Sequence, residues 1–168
     1  MTPHTDSPPV EPEQRVGIES LFESRFEWKA GAVSGLLAAF AMGLAISLVR
    51  LETLRVAIAG LYGFEGSLAV GWAAHLFHGA LFGVVFAAIL ADPGLFGVRD
   101  WLWKSVAAGM VYGVVLAVFG AGIIMPIWLG AVGQPPATSI PHVTLPLVAW
   151  HLIYGLVLGA TFHYLHRD

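Results

Sequence analysis

The distribution of charged residues is the sequence feature that most constrains the fold. Three long segments contain no Asp, Glu, Lys or Arg: Ala30–Val49, Gly66–Ala91 and Ser105–His166. A helix of about 20 apolar residues crosses the hydrocarbon layer of a bilayer, and the third segment is long enough for two. The stretch GQPPATSIPHVTLP, residues 133–146, divides that segment, because Pro and Gly clusters punctuate helices. The sequence therefore predicts an all-α membrane protein with four transmembrane helices near residues 30–49, 67–90, 105–127 and 145–165.

The composition agrees with a membrane protein. The chain is 57% hydrophobic and 11% charged, whereas about 25% of the residues of soluble domains are charged. Residues 1–27 contain the acidic, Pro-containing stretch TPHTDSPPVEPEQ, and we expect them to form a disordered tail rather than a cleavable signal peptide. Residues 28–168 then form the transmembrane domain. The absence of cysteine rules out disulfides, thiolate metal sites and c-type haem attachment.

Lys and Arg residues are unequally divided between the two sides of the predicted bundle. One side holds Arg15, Arg25, Lys29, Arg99, Lys104 and Arg167, and the other holds Arg50 and Arg55. Positive residues near the ends of the spans favour the cytoplasmic side. The sequence therefore predicts a multi-pass protein of the cell membrane with both termini in the cytoplasm.

The two halves of the chain share a pattern. Trp28-Lys29 opens the first span and Trp103-Lys104 opens the third. The pattern His-x3-Gly-x3-Gly-x2-Phe begins at His75 in the second span and at His151 in the fourth. We interpret the chain as two parallel two-helix hairpin repeats, approximately residues 28–91 and 103–166, related by an axis along the membrane normal.

Glycines recur on one stripe of each predicted helix. Residues four apart lie on the same face of a helix, and small residues there let helix backbones approach closely in lipid. We expect eight glycines to form such helix-packing seams: Gly35, Gly43, Gly79, Gly83, Gly109, Gly113, Gly155 and Gly159.

Two histidines, His75 and His151, begin the glycine stripes of the second and fourth spans. An ionisable group at membrane depth is costly and normally faces the bundle interior with a partner. One interpretation is a histidine satisfied by a carbonyl or hydroxyl of a neighbouring helix. Another is a buried functional pair facing across the axis, and in its sharpest form the two imidazoles ligate a b-type haem. His163 and His166 lie near the end of the fourth span, where we expect them to extend to the lipid headgroups.

Motifs that would identify an enzyme are missing from the sequence. It has no G-x-S-x-G motif, no P-loop, no dinucleotide fingerprint and no H-E-x-x-H motif. No site for a metal ion other than haem iron is predicted, and a net charge of −3 without a basic patch argues against a nucleic-acid partner. The leading hypothesis is a non-enzymatic scaffold, accessory or sensor subunit in the lipid bilayer, partnered by a second copy or another membrane subunit. The alternatives are a b-type haem electron-transfer protein and a small transporter or channel subunit.

Three stretches carry a resemblance to other proteins: LYGFEGSLAVGWAAHLFHGALFGVVFAAIL (61–90), MPIWLGAVG (125–133) and HLIYGLVLGATF (151–162). Together they resemble a group of small, uncharacterised four-helix membrane proteins of halophilic archaea, over roughly residues 28–165. An acidic tail fits such an origin. Some members of the group are labelled histidine kinases, but this chain has no segment that could form a nucleotide-binding domain. The resemblance implies no catalytic residues.

Overall fold

The computed structural model describes residues 26–134 and 139–167, and within these ranges it is helical, without strands. Four long helices are apolar enough to cross a membrane: α1 (Trp28–Arg50), α2 (Leu68–Leu90), α3 (Leu102–Ala131) and α4 (Leu145–Leu165). The predicted all-α class and the four spans are confirmed. The main difference is α3, which continues to Ala131; Pro126 lies in the first turn of its last α-helical segment, where proline is tolerated. Most of the predicted tail and residues 135–138 of the second long loop lie outside the described ranges.

Helices α1 and α2 form an antiparallel hairpin whose backbones touch at glycines. A side chain at Gly35 would overlap the carbonyl oxygen of Gly79, and one at Gly83 would overlap that of Gly31. Such close contact replaces side-chain interdigitation by direct backbone packing, which strengthens dispersion contacts where lipid offers no hydrophobic driving force.

Helices α3 and α4 form a second antiparallel hairpin with a similar seam. A side chain at Gly155 would overlap the Gly109 carbonyl, and one at Gly159 would overlap the Ser105 carbonyl. The Ser105 hydroxyl donates to the Gly159 carbonyl oxygen at 2.8 Å. Gly79 of α2 contacts Gly35 of α1, and Gly155 of α4 contacts Gly109 of α3. The two glycines that the shared pattern matches therefore make similar contacts in the two hairpins. This register supports the repeat hypothesis, which stays a prediction.

The contacts between the two hairpins are unequal. Helix α1 packs along α4, whereas the backbones of α2 and α3 hardly approach each other. A hydrogen bond of 2.9 Å from the Tyr112 hydroxyl to the Phe82 carbonyl links α2 and α3, and the rings of Phe86 and Tyr112 lie 5.4 Å apart. An exact two-fold axis would make both inter-hairpin contacts alike, so the hairpins are not related by exact symmetry.

Two segments of the chain wind as π-helix: Thr53–Ile58, after α1, and Leu116–Ile124, within α3. The second contains Gly120 and Gly122, which are poor α-helix formers. The Gly122 carbonyl accepts a hydrogen bond of 2.7 Å from the His142 backbone N–H, so the loop before α4 is fastened to this wide turn. π-Helical turns are rare and frequently lie at functional sites.

The connection between α2 and α3 docks under the end of α4, at what we call the basic end of the bundle, which carries Lys29, Arg99, Lys104 and Arg167. His163 Nδ1 donates to the Arg99 carbonyl at 2.8 Å, and Arg167 donates to the Asp100 carbonyl at 2.8 Å. His163 is 5% exposed, so the expectation that it extends to the headgroups is wrong. The loop supplies an acceptor that burial of the ring requires. His166, just beyond α4, is half-buried, and this burial lowers the pKa of its imidazole.

Candidate functional site

A cleft of about 490 Å³ lies between α2 and α3, in the half of the bundle away from the basic end. Helices α1 and α4 form its floor through residues such as Met42 and Trp150. Its walls are mainly aliphatic and aromatic, with Phe82 from α2 and Phe119 from α3. This volume is within the range of small-molecule sites in proteins.

The cleft lies where the π-helical part of α3 runs beside α2 with little backbone contact. Both π-helical segments, Thr53–Ile58 and Leu116–Ile124, contribute to its walls. At the end opposite the basic end, the Trp128 indole N–H donates to the Leu61 carbonyl at 2.9 Å. This bond ties the end of α3 to the loop that follows α1 and narrows the cleft on that side.

His75 lies on α2, is buried, and lines the cleft. Its Nε2 is 2.9 Å from the Ala39 carbonyl oxygen of α1. A carbonyl only accepts, so Nε2 carries the proton and donates it. In the neutral ring Nδ1 is then an acceptor. The room for this ring comes from Gly43, since a side chain there would press on Trp72 and His75.

His151 lies on α4, is half-buried, and lines the same cleft. Its Nδ1 is 2.8 Å from the Leu147 carbonyl oxygen, one turn earlier in its own helix. Nδ1 therefore donates, and Nε2 is the acceptor of the neutral ring. The structure thus brings both predicted histidines to one cavity, but with opposite tautomers and different partners, one across a hairpin and one within a helix.

Two tyrosines and a third histidine complete the polar lining near these rings. The Tyr154 hydroxyl donates to the Gly79 carbonyl at 2.8 Å, from α4 to α2. The Tyr62 hydroxyl and His78 Nε2 are 2.6 Å apart. None of the three was predicted from the sequence as a site residue. His78 and Tyr154 occupy matched positions of the two halves, one turn beyond His75 and His151, and this match was the one signal that pointed to them.

The glycines predicted to form packing seams all lie at close helix contacts. Added side chains at Gly35, Gly79, Gly83, Gly109, Gly113, Gly155 and Gly159 would overlap atoms of the partner helix, and one at Gly43 would meet the Trp72 ring. Two further glycines at close contacts were not predicted: Gly31, which faces Gly83, and Gly71, which packs on the Leu54 carbonyl. These seams hold the helices that carry His75 and His151.

The described residues contain no group of three or more His, Cys, Asp or Glu placed to hold a metal ion. In this arrangement His75 Nε2 donates to a backbone carbonyl, so haem ligation through Nε2 would require that hydrogen bond to break. The haem hypothesis for His75 and His151 stays a prediction. His75 fits the interpretation of a histidine satisfied by a carbonyl of a neighbouring helix, whereas the carbonyl that His151 uses belongs to its own helix.

No similarity to a known protein helps to interpret the cleft. The resemblance to small membrane proteins of halophilic archaea stays a prediction, and the scaffold, sensor, haem and transport hypotheses have to be weighed on the cleft itself. The chain matches no protein-family model, no curated protein and no solved structure.

Proposed function

We propose that this chain is a non-enzymatic membrane protein, of the sensor or accessory type, that binds a small lipophilic molecule in the cleft between α2 and α3. The observation that carries the proposal is a cavity of about 490 Å³ within the membrane-spanning bundle, with apolar walls and a few convergent polar groups. Small-molecule sites have this composition and size.

The expected route of entry is from the bilayer, between α2 and α3. Backbone contact between these two helices is sparse, whereas the end of the cleft near Trp128 is narrowed by the hydrogen bond to Leu61. A ligand dissolved in lipid would reach the cavity without crossing water, and its apolar surface would stay out of water throughout.

A bound molecule in this position would set the spacing of α2 and α3, which gives a means of sensing. The two helices are joined at the basic end by residues 91–101, and this loop contacts the end of α4 through Arg99 and Asp100. A change in spacing would therefore reach the face that we expect to lie in the cytoplasm, where a partner subunit could respond.

Binding can be tested with a photoreactive alkylbenzene, whose diazirine inserts into nearby residues on illumination. The full chain in lipid nanodiscs is labelled and digested, and the modified residues are identified by mass spectrometry. We expect labelling of cleft residues such as Phe82 and Phe119 that decreases when excess unlabelled octylbenzene is added, because a finite site saturates. Labelling that is uniform over the lipid-facing helix surfaces and insensitive to competitor would contradict the proposal.

Orientation in the membrane is a separate prediction. Replacing Glu65 by Cys, in the exposed loop between α1 and α2, should allow reaction with an impermeant maleimide on intact cells. Replacing the exposed Gly97 by Cys, between α2 and α3, should allow reaction only after lysis. A side chain at Gly97 meets nothing within 4 Å, and the chain has no native cysteine to confuse the result. The reverse labelling pattern would place both termini outside.

A further inference from the structure

We propose that the cleft selects neutral lipophiles that carry an aromatic hydroxyl group, and that one of the free acceptors on His75, His151 and Tyr154 takes the hydrogen bond from it. This inference rests on the proposed function and specifies its ligand class. It follows from which hydrogen-bonding groups the cleft leaves free.

Each of the two histidines that line the cleft keeps one acceptor nitrogen. His75 donates from Nε2 to Ala39 and His151 donates from Nδ1 to Leu147. Charged imidazolium at this depth would be costly, and a neutral imidazole has one donor and one acceptor nitrogen. The nitrogens that remain, Nδ1 of His75 and Nε2 of His151, can therefore only accept.

Among the other polar side chains that line the cleft, the Thr53 hydroxyl and the Tyr62–His78 pair can each supply one donor, whereas Tyr154 and Trp128 have theirs engaged. The Tyr154 hydroxyl donates to Gly79, so its oxygen offers a lone pair. The Trp128 N–H is engaged with Leu61. The hydrogen bond between Tyr62 and His78 uses one of the two protons that the pair carries. One donor and one acceptor of the pair remain. His75, His151 and Tyr154 thus form a group of acceptors without donors of their own.

To satisfy these acceptors, the ligand must supply a hydrogen-bond donor that carries no charge. An ammonium would donate well but would carry its charge into an apolar cavity, which is unfavourable. An amide would bring a strong carbonyl acceptor that finds few donors here. A hydroxyl group supplies a donor, and its own oxygen needs fewer hydrogen bonds from the cleft than an amide carbonyl does. Aromatic residues in the walls, among them Phe82, Phe119 and Trp150, favour stacking and edge contacts with a ring.

The experiment compares 4-octylphenol with 4-octylanisole, its methyl ether, in which a methyl group takes the place of the hydroxyl proton. Each is titrated against the photoreactive alkylbenzene on the full chain in nanodiscs, and concentrations are corrected for partition into empty nanodiscs. We expect the phenol to displace the label at about a threefold to tenfold lower concentration than its methyl ether, since a neutral hydrogen bond contributes about that much.

Variants locate the acceptor. With His75, His151 and Tyr154 replaced by Phe one at a time, the ratio of the two competitors should fall close to one in the variant that loses the accepting atom, with little change for the anisole. Replacing the exposed His142 by Ala should leave the ratio as in the unaltered chain. Equal displacement by both compounds in the unaltered chain, which needs no variant to fold, would overturn the selection of hydroxyl donors while leaving the cleft as a binding site. Displacement by neither would overturn the proposed function as well.

Discussion

Replacement of Gly155 by Ala is expected to destabilise the protein by about 1–3 kcal/mol, the usual range for overpacking a tight contact. The added methyl group would overlap the Gly109 carbonyl oxygen and come within 2.9 Å of the Met110 Cα. Both are backbone atoms, so no side-chain rotation relieves the overlap and α3 must move away from α4. The gain of about 1 kcal/mol that Ala brings over Gly in a helix offsets only part of this cost.

The matched control is the same substitution at Gly130, which lies in α3. An added methyl group there meets nothing within 4 Å, so the helix propensity acts alone and the variant should be unchanged or up to about 1 kcal/mol more stable. Unfolding is followed by circular dichroism in one detergent for both variants. A Gly155→Ala protein as stable as Gly130→Ala would mean that α3 and α4 do not make the close contact described here.

The spans and seams could be predicted from the sequence because each rests on a local pattern. Uncharged runs fix where helices can cross a bilayer, and glycines at i, i+4 and i+8 mark one face of a helix whatever its partner. That is why Gly35 and Gly79, or Gly109 and Gly155, could be named without knowing that they touch.

The cleft could not be predicted in this way. It depends on α1 packing against α4 while α2 and α3 stay apart, and no periodicity in a single helix encodes that difference. The π-helical turns at Leu116–Ile124 are equally hidden, because the hydrophobic pattern of a short π segment resembles that of an α-helix. His163 illustrates the same limit, since its partner Arg99 belongs to a loop 64 residues earlier.

The two matched histidines show how a shared sequence pattern can produce unlike groups. His75 can reach the Ala39 carbonyl across its hairpin, where Gly43 leaves room beside the ring. His151 instead bonds to Leu147 in its own helix. The different partners fix opposite tautomers, yet both leave an acceptor. His75 and His151 therefore each present an acceptor, although different hydrogen bonds hold the two rings.

Replacement of Ala121 by Trp is expected to abolish competed labelling of the cleft by the photoreactive alkylbenzene. Ala121 lies in the π-helical part of α3 and lines the cavity. An indole ring placed there would occupy much of the room that a ligand ring needs, because a Trp side chain has a buried surface of about 150–250 Å². The bundle should stay folded, since the ring enters existing space instead of displacing packed atoms.

The control for added bulk and hydrophobicity is Trp at Ala107, which is exposed on the same helix closer to the basic end. That variant should bind the probe as the unaltered chain does, since its new ring faces away from the cleft into lipid. Both variants are first checked for an unchanged unfolding transition, so that loss of labelling in Ala121→Trp reports on the cavity and not on folding. If Ala121→Trp keeps competed labelling at the same residues and with the same competitor dependence, the probe binds somewhere other than the space between α2 and α3. The lipophile would then have to be sought on the outer surface of the bundle, and the acceptor group formed by His75, His151 and Tyr154 would have a purely structural role.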